Sequence, residues 1–183
     1  GSATTATPLG AGVDTITANV FNAARVFNPG GTDQVNSLND DDVLTGVGTD
    51  PTLNFTFVND SDTNDYDITP TLRNVQVVNV TFATDGSGAG AATLDLQDAT
   101  GLDDSVNVFR VDDDLVTAAV RNLGNDGITP DTLSVNNTNA PASTVLFTYT
   151  DTALAGAADS VKVSANNIEV ASLVVQTNAA TAG

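Results

Sequence analysis

Short runs of alternating apolar and polar residues recur along most of the chain. Residues 53–58 read Leu-Asn-Phe-Thr-Phe-Val, and residues 75–82 form the clearest run of all. Others follow at 93–96, 105–111, 132–135, 144–149, 160–163 and 168–175. A period of two puts every second side chain on one face, which is the signature of a half-buried strand. Many of these runs are rich in Val and Thr, which suit a pleated surface. Turn-forming clusters separate them, at 60–67, 85–90, 98–104, 112–114, 122–131, 136–141 and 151–159. Two segments are ambiguous. Residues 13–28 fit a short helix or a pair of strands, and residues 115–121 fit a strand or one to two helical turns.

Several blocks resemble one another. "VVNVTF", "ATLDLQDATGLDDSVNVFRV", "DTLSVNNT" and "DSVKVSANNIEVASLVV" each join apolar alternation to an Asp or Asn and a turn, without an exact period. A degenerate ladder of this kind predicts an all-β fold, an irregular parallel β-solenoid in which each rung needs only apolar inward positions and compact corners. An antiparallel β-sandwich is the alternative. Residues 1–12 have tag and linker composition, and residues 13–183 read as a single elongated all-β domain taken from a longer protein.

Charge narrows the picture. Lys and Arg number 5 against 23 Asp and Glu, a formal balance of −18, and Glu169 is the sole glutamate. Asp favours turns over strand interiors, and its short carboxylate is a hard-oxygen ligand suited to Ca²⁺. Excess charge of one sign opposes compaction unless cations offset it. So few basic residues disfavour nucleic acid, whose phosphates require Lys and Arg, and anionic membrane surfaces. No stretch is long and apolar enough for membrane insertion. His and Cys are absent, which removes His-based triads, Cys nucleophiles and Cys/His zinc sites. Trp is also absent, and with two Tyr the chain offers few aromatic platforms for sugar hydrolysis. The expectation is a protein that is not an enzyme.

Three Asp-rich stretches are candidate Ca²⁺ sites. Asp40, Asp41 and Asp42 are consecutive carboxylates flanked by Asp33 and Asp50 in Gly-Thr-Asp turns. Asp60, Asp62 and Asn64 place oxygen ligands at alternate positions, as an EF-hand loop does, with Asp65 and Asp67 following. Asp65 stands where an EF-hand needs Gly and Thr71 where it needs Glu, so this would be a looser loop. Asp112, Asp113 and Asp114 form a second triplet. Asp103-Asp104 and Asn125-Asp126 are weaker candidates.

The stretch "GGTDQVNSLNDDDVLTGVGTDPTLNFTF" at residues 30–57 resembles openings found in bacterial surface-layer and RTX-type proteins exported by type I secretion. "TPTLRNVQVVNV" at 69–80 resembles the segment that follows, and "ATLDLQDATGL" and "YTDTALAGAADSVKVS" share the character. The tandem Gly-Gly-x-Gly-x-Asp-x-apolar-x array of a β-roll is missing. The resemblance implies a secreted, calcium-dependent, β-rich protein of the bacterial cell surface. Two roles follow as expectations. One is a structural module that self-associates in a surface lattice or filament, held to cell-surface polysaccharide. The other is a ligand-binding module of a type I-secreted adhesin.

Overall fold

The computed structural model describes residues 5–60, 64–85, 90–154 and 159–178. These residues form a β-solenoid of about 5 turns with no α-helix. The strands lie on three faces. The first face stacks, in parallel order, β1 (Thr7–Pro8), β3 (Val20–Ala23), β7 (Thr52–Asn59), β10 (Val77–Thr84), β13 (Ser105–Val111) and the first part of β15 (Thr132–Tyr149). The second stacks β8 (Tyr66–Ile68), β11 (Ala91–Asp95), β14 (Thr117–Leu123) and the last part of β15. The third stacks β2 (Thr15–Ala18), β6 (Val43–Gly46), β9 (Thr71–Arg73) and β12 (Ala99–Thr100). The last strand, β16 (Lys162–Thr177), follows β15 along its whole length. A small antiparallel pair, β4 (Val26–Phe27) with β5 (Gln34–Val35), interrupts the stacking after β3.

Asn and Ser side chains that meet across neighbouring coils are 25 to 30 residues apart in sequence. Parallel pairing without a shift puts equivalent residues over one another, so each inward position becomes a column. Leu53, Val78, Val106 and Leu133 form one column, and Phe55, Val80, Val108 and Val135 form another; all are buried. Phe57 and Phe82 stack with ring centroids 5.6 Å apart, and Tyr66 meets Phe57 edge-on at 5.7 Å. Burial of each such side chain contributes about 1.5–3 kcal/mol. A bulge opposite Val80 and Thr81 displaces Phe109 outward, where it is 47% exposed, and returns Val111 to the core.

The same stacking builds polar columns. Asn79 donates to Asn54 (Nδ2 to Oδ1, 2.9 Å), Asn107 donates to Asn79 (2.9 Å), and Ser134 donates to Asn107 (2.6 Å). Corners use Asn in the left-handed region, which it tolerates better than other residues with a side chain. Asn137 and Asn167 have φ of 46° and 54° and stack on each other, with Asn167 Nδ2 donating to Asn137 Oδ1 at 3.2 Å.

Four local expectations change. Residues 115–121 are not helical, because β14 is paired on both sides by β11 and β15, whose ladders satisfy its backbone. Residues 136–141 do not break the chain into two strands; β15 rounds that corner without interruption. The ambiguous segment 13–28 holds short strands on different faces, β2 and β3, followed by β4. The ordered coil also begins before residue 13: Thr7–Pro8 pairs with β3, and Leu9 is buried against the core. Every ladder of the solenoid is parallel, so the antiparallel sandwich is not the fold.

Gly46 marks the tightest corner. A Cβ there would collide with the backbone carbonyl of Asn74 and the ring of Pro51. Asn74, at φ 51°, donates from Nδ2 to the Gly46 carbonyl (2.9 Å), which holds the corner in this position. Replacement of Gly46 by Ala is expected to destabilise the fold by about 1–3 kcal/mol. Urea denaturation checks this as a lower midpoint with an unchanged slope.

Candidate cation-binding corner

Many of the aspartates are structural. The short carboxylate reaches the backbone of the adjoining coil and accepts its N–H. Asp40 Oδ1 accepts from Thr69 (2.8 Å), Asp65 Oδ1 from Ala91 (2.8 Å), and Asp126 Oδ2 from Gly101 (2.8 Å). Glu, one methylene longer, fits such corners less well, which gives a physical reason for the bias toward Asp. Charge-assisted bonds of this type are stronger than neutral ones.

Asp42 is the extreme case. It is fully buried, with Oδ1 accepting from Asp14 N–H (2.7 Å) and Oδ2 from Asn39 N–H (2.9 Å). Loss of water raises its pKa above the ordinary 3.8, the two backbone donors lower it in part, and the nearby Asp14 charge adds to the rise. Both oxygens of Asp42 are thus engaged with backbone, whereas Asp41 is exposed. The consecutive triplet 40–42 is therefore divided into two inter-coil acceptors and one solvated carboxylate.

The remaining sequence candidates are dispersed. Asp33 closes a local turn, accepting from Thr32 Oγ1 (2.8 Å). Asp60, Asn64, Asp65 and Asp67 are exposed around the start of β8, and Asp62 lies outside the described residues. Asp112, Asp113 and Asp114 do gather. Among the described residues they are the group of three carboxylates whose oxygens all lie within 4.8 Å of one another. They occupy the exposed turn between β13 and β14, where Asp112 Oδ1 also accepts from Asp114 N–H (3.2 Å).

The corner leading into the first face was only partly legible. Asp50, Gln76, Asp103, Asp104, Thr129 and Asp131 line one groove of about 450 Å³. They come from successive coils. Asp104 and Ser105 donate to the Gln76 carbonyl, Asp131 to the Asp103 carbonyl, and Lys162 to the Asp131 carbonyl at 3.0 Å. Each coil therefore delivers a carboxylate or amide at equivalent positions, just before β7, β10, β13 and β15. The sequence marks Asp50 by its Gly-Thr-Asp turn and Asp103-Asp104 as a weaker candidate, and gives no signal for Gln76 or Asp131. These residues recur at nearly the coil spacing, but as Asp, Gln and Asp in otherwise dissimilar turns, so no motif marks the repeat in the sequence. No three of these carboxylates converge within 4.8 Å, so the groove is an open, oxygen-lined corner rather than a closed cage.

No family model, curated protein or solved structure matches the chain.

Asp42 provides a signed pH test. Its raised pKa means the folded state favours the protonated acid. Its contribution to stability is therefore largest below 3.8 and declines as pH rises through the folded pKa. In Asp42→Asn, which does not titrate, an amide NH₂ faces a backbone N–H, at a cost of about 1–3 kcal/mol. The deficit relative to the parent chain is expected to widen on acidification, measured by urea melts across that window.

Proposed function

We propose that this chain is a non-catalytic structural module of a bacterial surface-layer or extracellular sheath protein, ordered and assembled by Ca²⁺. One observation carries the reading: parallel stacking delivers Asp50, Asp103, Asp104 and Asp131 to a single open groove on a chain of charge −18. Carboxylate, amide and hydroxyl oxygens with room for water form a donor set suited to Ca²⁺, which takes 6–8 oxygen ligands in flexible geometry. A loosely built groove of this kind suits the weak, about 10⁻⁴–10⁻³ M, affinities of extracellular calcium modules. The exposed Asp112–Asp114 turn is a second place where a cation relieves repulsion. The sequence resemblance to exported surface-layer and RTX-type proteins supports the same reading, as does the absence of His and Cys. In this role the solenoid acts as a rigid spacer, and calcium lowers the charge that otherwise keeps copies apart.

Thermal melts test the reading directly. Ca²⁺ at 100 times its dissociation constant is expected to stabilise the fold by about 2.7 kcal/mol relative to chelator. Combined Asp50→Asn, Asp104→Asn and Asp131→Asn replacement should remove most of that gain. NaCl at matched ionic strength should not reproduce it. Coincident melts with chelator and with CaCl₂ at about 10–100 mM, 100 times the expected dissociation constant, would sink the calcium assignment.

A further inference from the structure

The β4–β5 hairpin leaves the stack after Ala23 and is fastened back to it at two places. Asn36 exchanges two bonds with the backbone of Val58: its Nδ2 donates to the carbonyl and its Oδ1 accepts from the N–H, both at 2.8 Å. Arg25, just before β4, donates from Nη2 to the Gln34 carbonyl (2.8 Å) and to Asp85 Oδ2 (2.9 Å), which joins the hairpin to the turn after β10. Within the tip, Asn28 Oδ1 accepts from Thr32 N–H (3.0 Å), and Asn28 N–H donates to the Asp33 carbonyl (2.8 Å). These bonds hold the hairpin in one arrangement before any ligand arrives.

Between the hairpin and the stack lies a groove of about 480 Å³, a volume typical of small-molecule sites. Asp60 and Asp85 reach it from successive coils, because they follow Asn59 and Thr84, which pair in register. Phe27, Asp33 and Gln34 line it from the hairpin. Phe27 is 61% exposed, whereas Phe21, Phe55, Phe57, Phe82 and Phe147 are in the core. Insertions into a solenoid often form its binding face.

We propose that this groove binds a neutral saccharide, with one pyranose face on the Phe27 ring and the sugar hydroxyls on Asp33, Asp60 and Gln34. A pyranose presents an apolar C–H face and a rim of hydroxyls that both donate and accept. The groove has the matching parts: an exposed flat ring, carboxylates that accept, and an amide that does both. Bonds from hydroxyl to carboxylate are charge-assisted and short. Arg25 is a positioning residue, since its ion pair with Asp85 closes the hairpin on the stack. Charge sets the specificity. Asp33, Asp60 and Asp85 outnumber Arg25 in the lining, on a chain of −18, which opposes acidic sugars. A cationic side chain is the competing occupant, and the Arg25 guanidinium among the carboxylates opposes a second cation. The proposal goes beyond the calcium reading: it concerns a different corner and needs neither Ca²⁺ nor assembly.

Amide NMR titrations of the full chain in EDTA test it. The neutral probes are α- and β-linked glucose trimers and an N-acetylglucosamine trimer; a galacturonic acid trimer is the acidic probe and a lysine tripeptide the cationic one. An open groove with one aromatic ring suits an affinity of about 1 mM, so each probe is taken to about 10 mM. At least one neutral probe is expected to give saturable shifts confined to residues 25–36, Asp60 and Asp85, and the acidic trimer none. Phe27→Ala should weaken that binding by roughly tenfold or more, whereas Phe27→Tyr should retain it. Asp60→Asn, which loses the charge on an acceptor, should weaken it a few-fold. Phe109→Ala removes the other exposed phenylalanine, at 47%, and should change nothing. Unchanged melting temperatures show that the variants fold. No saturable shift with any neutral probe, binding indifferent to Phe27→Ala, or lysine tripeptide in the groove in place of sugar overturns the proposal. If a saccharide binds while CaCl₂ leaves the melts unchanged, the calcium reading fails and this one stands; the opposite pair of results does the reverse.

Discussion

Backbone pairing between successive coils is the constraint on which the rest of this molecule depends. Each coil satisfies its N–H and C=O groups with the coil before and the coil after, since buried backbone left unpaired is costly. Parallel pairing then places equivalent positions over one another, and a shift of one residue would turn every core side chain outward. The Leu53–Val78–Val106–Leu133 column and the Asn54–Asn79–Asn107 column are two consequences of one register. The bulge at Phe109 shows the same constraint locally: an extra residue is expelled so that Val111 regains the core.

The chain's acidity acquires two separate meanings from this geometry. At Asp40, Asp42, Asp65 and Asp126 the carboxylate is a short acceptor that ties one coil's backbone to the next. At Asp50, Asp103, Asp104 and Asp131 carboxylates line a common groove. Regular stacking of equivalent corners accounts for both. Where the corner turns backbone N–H groups toward the next coil, an Asp is neutralised locally. Where it directs side chains outward, charge accumulates along the stack.

The sequence by itself determined the all-β character, because period-two alternation is broken by Asn, Asp and Gly turns, and it pointed to a parallel solenoid with an antiparallel sandwich as the alternative; the parallel ladders decided between them. It also located most strands, since 53–58, 75–82 and 105–111 carry enough apolar residues to fix their own inward face. It did not determine where residues 115–121 belong, because Ala-rich segments fit either period and β11 and β15 decided the matter. Nor did it separate Asp42 from Asp40 and Asp41: three identical neighbours differ only in which way the corner turns them. The groove at Asp50, Asp103, Asp104 and Asp131 was beyond it for a related reason. Those residues are far apart in the chain, they sit in turns of dissimilar sequence, and only the coil-on-coil register brings them to one edge.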